Sequence, residues 1–254
     1  MPPLTHRVRD LVVRAGARVG LSIVPTWRLD RLPMATHLRR LFTHLDVDLV
    51  LDVGANLGQY RDFLREEVGY VGRILSFEPI PDHAEAMRRR AATDPLWEVE
   101  AVALGPAPGR ASFNVMAGSQ FSSFLDPTHR EVDLFRTQNA VARVIEVEVR
   151  TLDDVLAQLD AALTPRRPYL KLDTQGFDME VLKGATASLR HMTGLQTEAS
   201  VQRIYEGAPR YVTAIEAIEQ LGFALSGIFP NNDGHFPLLV EFDCVFVAGR
   251  PSAS

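Results

Sequence analysis

Residues 49–60 read LVLDVGANLGQY, an apolar run that carries Asp52 and leads into a turn where Gly54, Asn56 and Gly58 alternate. A short apolar run followed by two glycines fits a buried strand that turns sharply into a helix. In an open sheet of parallel strands, that turn lies at the carboxyl end, where ligands bind. By itself the stretch is equally well read as a plain glycine turn.

Working outward, short apolar runs alternate with helical periodicity along most of the chain. Strand-like runs occupy 72–79, 97–104, 111–116, 143–149, 168–174, 194–200, 223–230 and 238–247, and helical patterns occupy 58–68, 81–92, 153–159, 179–189 and 210–221. Strands alternating with helices need crossover connections, which give a parallel sheet covered on both faces. The runs at 223–230 and 238–247 have no helix between them, so the final strand is expected to be antiparallel to its neighbour. Ahead of this pattern, helical spacing over 7–19 and 34–45 predicts an N-terminal helical cap over residues 1–48, with one α/β domain over 49–254.

The length of 254 residues suits one such domain. Charge is uneven: residues 1–40 hold 8 of the 27 basic and 2 of the 32 acidic residues, so the rest of the chain is acidic. An acidic body argues against nucleic acid as a partner. The basic segment has three open roles: docking on lipid or a lipid-linked substrate, making a homodimer contact, or closing a cofactor site. Its simplest reading is a solvated face. A single cysteine, Cys244, excludes an internal disulfide. No run reaches the ~18 apolar residues of a spanning helix, and no signal-type apolar core is present, so a cytoplasmic, at most membrane-adjacent, protein is expected.

The second strand carries Glu78, at a distance from Asp52 that suits a carboxylate on a ribose diol. A dinucleotide site wants G-x-G-x-x-G so that pyrophosphate reaches the helix N-terminus. Here Asn56 replaces the middle glycine and Leu57 follows it. S-adenosylmethionine has no phosphate, and its amino-acid end suits polar partners such as Asp52 and Asn56. The motif therefore favours the methyl donor over a nicotinamide cofactor.

LDVGANLGQY, FEPIP, VALG, LKLDTQGFDMEVLKGA, LQTEAS and EFDCVFV together resemble the FkbM family of S-adenosylmethionine-dependent O-methyltransferases, over roughly residues 48–247. The resemblance implies a Rossmann-like class I methyltransferase fold: a seven-stranded, mostly parallel sheet with an antiparallel last strand and helices on both faces. It also implies transfer of a methyl group to a hydroxyl of a sugar or secondary metabolite. A Rossmann-type oxidoreductase and a catalytically silent binding module are the alternatives. Cofactor contacts are expected from Asp52, Gly54, Asn56, Gly58, Gln59, Tyr60, Glu78, Pro79, Ala103 and Asp173.

A hydroxyl attacks well only as its proton leaves, so a base or a metal ion is expected near the acceptor. Asp173 and Glu198 end neighbouring strands. Either serves as general base, or both hold Mg²⁺ or another divalent cation. Lys171, one of only two lysines, alternates onto the face of Asp173 and could pair with a carboxylate there. His235 in NNDGHFP is a third candidate base. The long connector 117–139 mixes Ser119, Gln120, Ser122 and Ser123 with phenylalanines and reads as an acceptor loop, to which Gln175 and Tyr205 are added.

Overall fold

The computed structural model describes residues 29–159, 166–231 and 237–249. The expected helix over 7–19 and His235 lie outside these residues. Helix α1 (Leu32–Leu45) leads into strand β1 (Leu49–Val53), and α2 (Gln59–Phe63) runs on as a π-helical turn over Leu64–Val68. Next come β2 (Arg73–Phe77), α3 (Pro81–Ala91), β3 (Trp97–Glu100), β4 (Ala103–Leu104), β5 (Gly109–Met116) and β6 (Val141–Arg150). The chain finishes with α4 (Leu152–Ala157), β7 (Pro168–Leu172), α5 (Asp178–Lys183), β8 (Gly194–Ser200), α6 (Tyr211–Gln220), β9 (Phe223–Pro230) and β10 (Glu241–Ala248).

Seven strands form one sheet in the order β3-β2-β1-β7-β8-β10-β9. β10 is inserted antiparallel between β8 and β9, as the missing helix between the last two apolar runs led us to expect. The other pairs in this sheet are parallel. The order reverses between β1 and β7, so ligands are expected beyond the carboxyl ends of these two strands.

Three sequence expectations change. The runs at 111–116 and 143–149 do not join the main sheet; β5 and β6 form a second, three-stranded sheet with β4. The run 97–104 is divided, its first half pairing with β2 and its second with β6. The helix expected over 179–189 ends at Lys183, because the Asp153 carboxylate takes the N–H groups of Ala187 (2.9 Å) and Ser188 (2.8 Å) and draws the chain off the helical path.

Alternation along β1 assigns the two faces of the main sheet. Leu49, Leu51 and Val53 join Leu170, Leu172 and Leu195 and the Val181–Leu182 pair of α5. On the other face, Val50, Ile74, Tyr169 and Val245 pack under Leu38 and Phe42 of α1. The described part of the cap thus shares the core of the domain. Among the described residues, no helix is long and apolar enough to cross a membrane.

The Tyr169 ring lies 4.7 Å from that of Phe42, yet its buried hydroxyl has no hydrogen-bond partner. An unpaired buried hydroxyl destabilises by about 1–3 kcal/mol. Tyr169→Phe is therefore expected to stabilise the fold by about 1 kcal/mol, read as a rise in the urea midpoint at constant slope.

Candidate active site

The turn after β1 is built for contact with its own protein. Gly54 has φ +80°, and a Cβ there would stand 2.0 Å from the carbonyl oxygen of Asp173. Gly58, at φ +85°, would meet the Trp97 ring at 3.0 Å. The space these glycines leave is occupied by the chain itself, and it lets the loops after β1 and β7 touch. Asn56 adopts φ +50°, a conformation that asparagine tolerates better than most residues.

Every backbone N–H from 54 to 58 is engaged. Those of Gly54 and Ala55 donate to Phe77 O, that of Asn56 to Glu78 Oε2 (2.8 Å), that of Leu57 to Gln59 Oε1 (3.0 Å) and that of Gly58 to Ala55 O. Glu78 also accepts from Ile80 N at Oε1 (2.9 Å). Burial pushes its carboxyl up to about 8, against the pull of these two N–H groups.

Behind the turn, a polar row crosses four strands. Strand register sets Ser76 beside Asp52, Asp52 beside Lys171, and Lys171 beside Gln196. Trp97 Nε1 donates to Ser76 Oγ (3.0 Å), which donates to Asp52 Oδ2 (3.1 Å). Lys171 Nζ sits 2.8 Å from Asp173 Oδ2, 3.7 Å from Asp52 Oδ1 and 5.0 Å above the Tyr60 ring. Burial opposes the ammonium charge, but Asp173 and Asp52 outweigh it, so the Lys171 pKa is raised. At the end of the row, Gln196 accepts from Tyr60 OH (2.8 Å) and donates to Asp243 (2.9 Å).

Three clefts open at this edge of the sheet. The first runs over the β1 and β2 ends between Phe77, Ile80, Val102, Ala103 and Phe124, with Glu78 and Pro79 on its wall. The second is bounded by Phe121, Phe135, Gln138, Gln175, Glu198 and Glu241. The third lies by Arg31, Gln59, Tyr60, Lys171, Asn231 and Asp243. Asp173 and Gln120 line all three, and the Asp173 side chain is 37% exposed.

Other expected site residues are placed as follows. Ser119 Oγ donates to Asn56 Oδ1 (3.0 Å), and Ser122 stands on the wall of the first cleft. Gln175, at φ +54°, donates through Nε2 to Asp173 Oδ1 (2.8 Å) and Glu198 Oε2 (3.1 Å). Three residues stand behind the clefts. Asp52 is fully buried and lines none of them. Ser123 is buried and donates to Gln175 O (2.9 Å), and Tyr205 OH donates toward Phe121 O (2.6 Å) with Gln175 Oε1 at 2.9 Å. Ser123 and Tyr205 thus brace the 173–176 turn, and Asp52 stands behind Lys171.

The divalent cation expected at Asp173 and Glu198 is not supported. Gln175 places an amide between the two carboxyl groups, and among the described residues no group of three or more His, Cys, Asp or Glu side chains is set to hold a metal ion. Burial, together with Glu241, Asp173 and Asp243, raises Glu198 well above the usual carboxylate range. Of the three clefts Glu198 lines only the second, whereas Asp173 lines all of them, so the two candidate carboxyl groups differ in placement.

Several functional residues escaped the sequence reading. Asp178 binds Thr174 N (2.8 Å) and the hydroxyls of Thr174 and Thr197, which fixes the turn that carries Asp173. Asn231 donates to Glu198. Glu241 and Asp243 alternate within EFDCVFV, and that spacing alone could have placed them on one face.

A main sheet of this order, with clefts at the reversal point, defines a Rossmann-like methyltransferase domain of class I. Residues 52–225 match the family model described as the methyltransferase FkbM domain, and the chain belongs to that family. No curated protein matches it. Among solved structures, it is similar to methyltransferase FkbM from Methylobacillus flagellatus KT, at 18% identity and TM-score 0.49 over 79% of this chain. It spans 44% of that protein's length. It is also similar to magnesium protoporphyrin IX methyltransferase (ChlM) from Synechocystis PCC 6803 with bound SAM, at 11% identity and TM-score 0.46, covering 98% of this chain and 100% of that one.

Two outcomes follow from this geometry. Gly54→Ala is expected to destabilise the fold by at least about 2 kcal/mol, measured by urea unfolding, since both φ and the Asp173 carbonyl forbid the methyl group. Burial, then Asp173 and Asp243, push the Glu241 carboxyl up from 4.5 to about 8. The folded state then holds a proton that the unfolded chain has lost, so this group's contribution to stability falls as pH rises from about 4.5 to about 8. Glu241→Gln should show a smaller fall in melting temperature across that interval than the unaltered protein.

Proposed function

We propose that the protein is an S-adenosylmethionine-dependent O-methyltransferase that acts on a hydroxyl of a sugar or a hydroxylated secondary metabolite. The carrying observation is the closed hydrogen-bond circuit of the 54–58 turn beside Glu78. The amides of 54–58 are thus unavailable to a pyrophosphate, and Asn56 stands where a dinucleotide motif has its middle glycine, which together disfavour a nicotinamide dinucleotide. A diol needs only acceptors, and Glu78 keeps lone pairs toward the first cleft. The apolar walls of that cleft suit an adenine ring.

When bound, S-adenosylmethionine supplies an electrophilic methyl group on a sulfonium. Asp173, common to all three clefts, is placed to take the proton of the acceptor hydroxyl as the oxygen attacks. Lys171 and Gln175 fix the two oxygens of that carboxylate from opposite sides. Lys171 is thus a positioning residue, and Glu198 acts through Gln175 and Asn231 rather than as the base. The phenyl rings of Phe121 and Phe135 and the amides of Gln120 and Gln138 offer a sugar-like acceptor its apolar faces and hydroxyl partners.

Titration with S-adenosylhomocysteine and, separately, NAD is expected to give binding of the first alone. In a methyl-transfer assay against a panel of sugars and polyketide alcohols, Asp173→Asn should lower kcat by about 100-fold or more, the range of a lost general base. Its S-adenosylhomocysteine affinity should stay within about threefold. Near-normal turnover in Asp173→Asn would remove the base assignment.

A further inference from the structure

His83, in the first turn of α3, carries a buried ring nitrogen that nothing uses. Its Nδ1 has no hydrogen-bond partner and lies 3.9 Å from Glu78 Oε1. Glu78 is itself enclosed, its two oxygens each receiving one backbone N–H and no ion pair of hydrogen-bond length. We propose that His83 is the proton acceptor for Glu78, taking the carboxyl proton onto Nδ1 when Glu78 turns its oxygens to a ribose diol. The inference rests on the S-adenosylmethionine reading of the site.

Two hydroxyl donors are best received by a carboxylate, because a carboxylic acid offers a donor of its own where the diol also has donors. Without ligand, burial holds Glu78 near 8 and lowers His83 below its usual range, so both side chains are neutral at pH 7. On binding, the O–H bond of Glu78 breaks and an N–H bond forms at Nδ1, leaving carboxylate and imidazolium as neighbours. The ring need close the present gap by only about 1 Å to reach hydrogen-bond length. The charged groups facing the pair are Asp82 on the same helix and Arg143 of β6, 3.6 Å apart, and Asp52 behind Glu78. Asp82 favours the imidazolium and Arg143 opposes it, so the two offset each other around the ring. In the complex, the two hydroxyl donors of the diol stabilise the carboxylate over the acid, and that tips the balance.

The consequence is affinity that does not depend on pH near neutrality, because the proton stays inside the complex. Without His83 the proton must go to solvent. With Glu78 near 8, affinity then falls about eightfold between pH 7.5 and 6.5. Calorimetric titration of S-adenosylhomocysteine tests this. The unaltered protein is expected to change less than about twofold over that interval and to give the same binding enthalpy in phosphate and Tris buffers, whereas His83→Asn and His83→Ala should show the fall and a buffer-dependent enthalpy. Glu78→Gln should bind more weakly with no pH dependence even though His83 is present. The curves of the unaltered and His83 proteins should converge toward pH 9; a misplaced side chain would shift them equally at every pH. Parallel curves for the unaltered and His83 proteins would overturn the inference and leave the cofactor reading standing. No binding by the unaltered protein at any pH would overturn both.

Discussion

A single buried ammonium organises the ligand edge of this domain. Lys171 lies between Asp52 and Asp173, and the same register that sets it beside Asp52 sets Gln196 beside it in turn. Moving two charges out of water costs several kcal/mol per ion, and that cost is recovered only where geometry and further hydrogen bonds are good. Here the recovery comes from Ser76 and Trp97 on one side and from Gln175 on the other. A one-residue slip of β7 against β1 would turn Lys171 into the apolar layer on the opposite face, so the ion pair also fixes strand register. With the register fixed, the loops after both strands arrive at the same height, and the Gly54 and Asp173 backbones meet.

Much of the main sheet was legible from period and punctuation. The apolar runs at 49–53, 194–200 and 223–230 are the strands observed, and the absence of a helix before the last run disclosed its antiparallel direction. What was not legible is which sheet a strand joins. ASFNVM and RVIEVEV have ordinary strand character, and only the partners available in three dimensions send them to the smaller sheet. Local pattern also could not end α5 at Lys183, because the group that ends it, Asp153, lies about thirty positions upstream.

The site divides along the same line. Glu78, Asn56, Lys171 and Asp173 stand at strand ends or beside glycines, where sequence alone marks a residue as facing a ligand edge. Asp52 has the same signal but is enclosed, because Trp97 and Ser76 from the adjoining strands seal it. Tyr205 and Ser123 show the converse: hydroxyls expected to meet a ligand are spent on the protein's own turn, a use that depends on contacts 30 and 52 positions away. A side chain's chemistry is local, whereas its accessibility is a property of the assembled fold.

The smaller sheet has a different significance. β6 hydrogen-bonds to β5 on one side and to β4 on the other, and neither β5 nor β6 pairs with the main sheet, yet their connector supplies Gln120, Phe121, Phe135 and Gln138 to the cleft walls. Among the described residues, the connector reaches the 54–58 turn through Ser119, which donates to Asn56. The strands of the smaller sheet are themselves packed into the domain, with Phe113, Val115, Val147 and Val149 buried against Ile80 and Ala103, so the part open to change is the connector. In an evolving lineage, changes of length and composition in the connector remodel the second cleft while the frame of the main sheet, its buried charges and its strand register are inherited untouched.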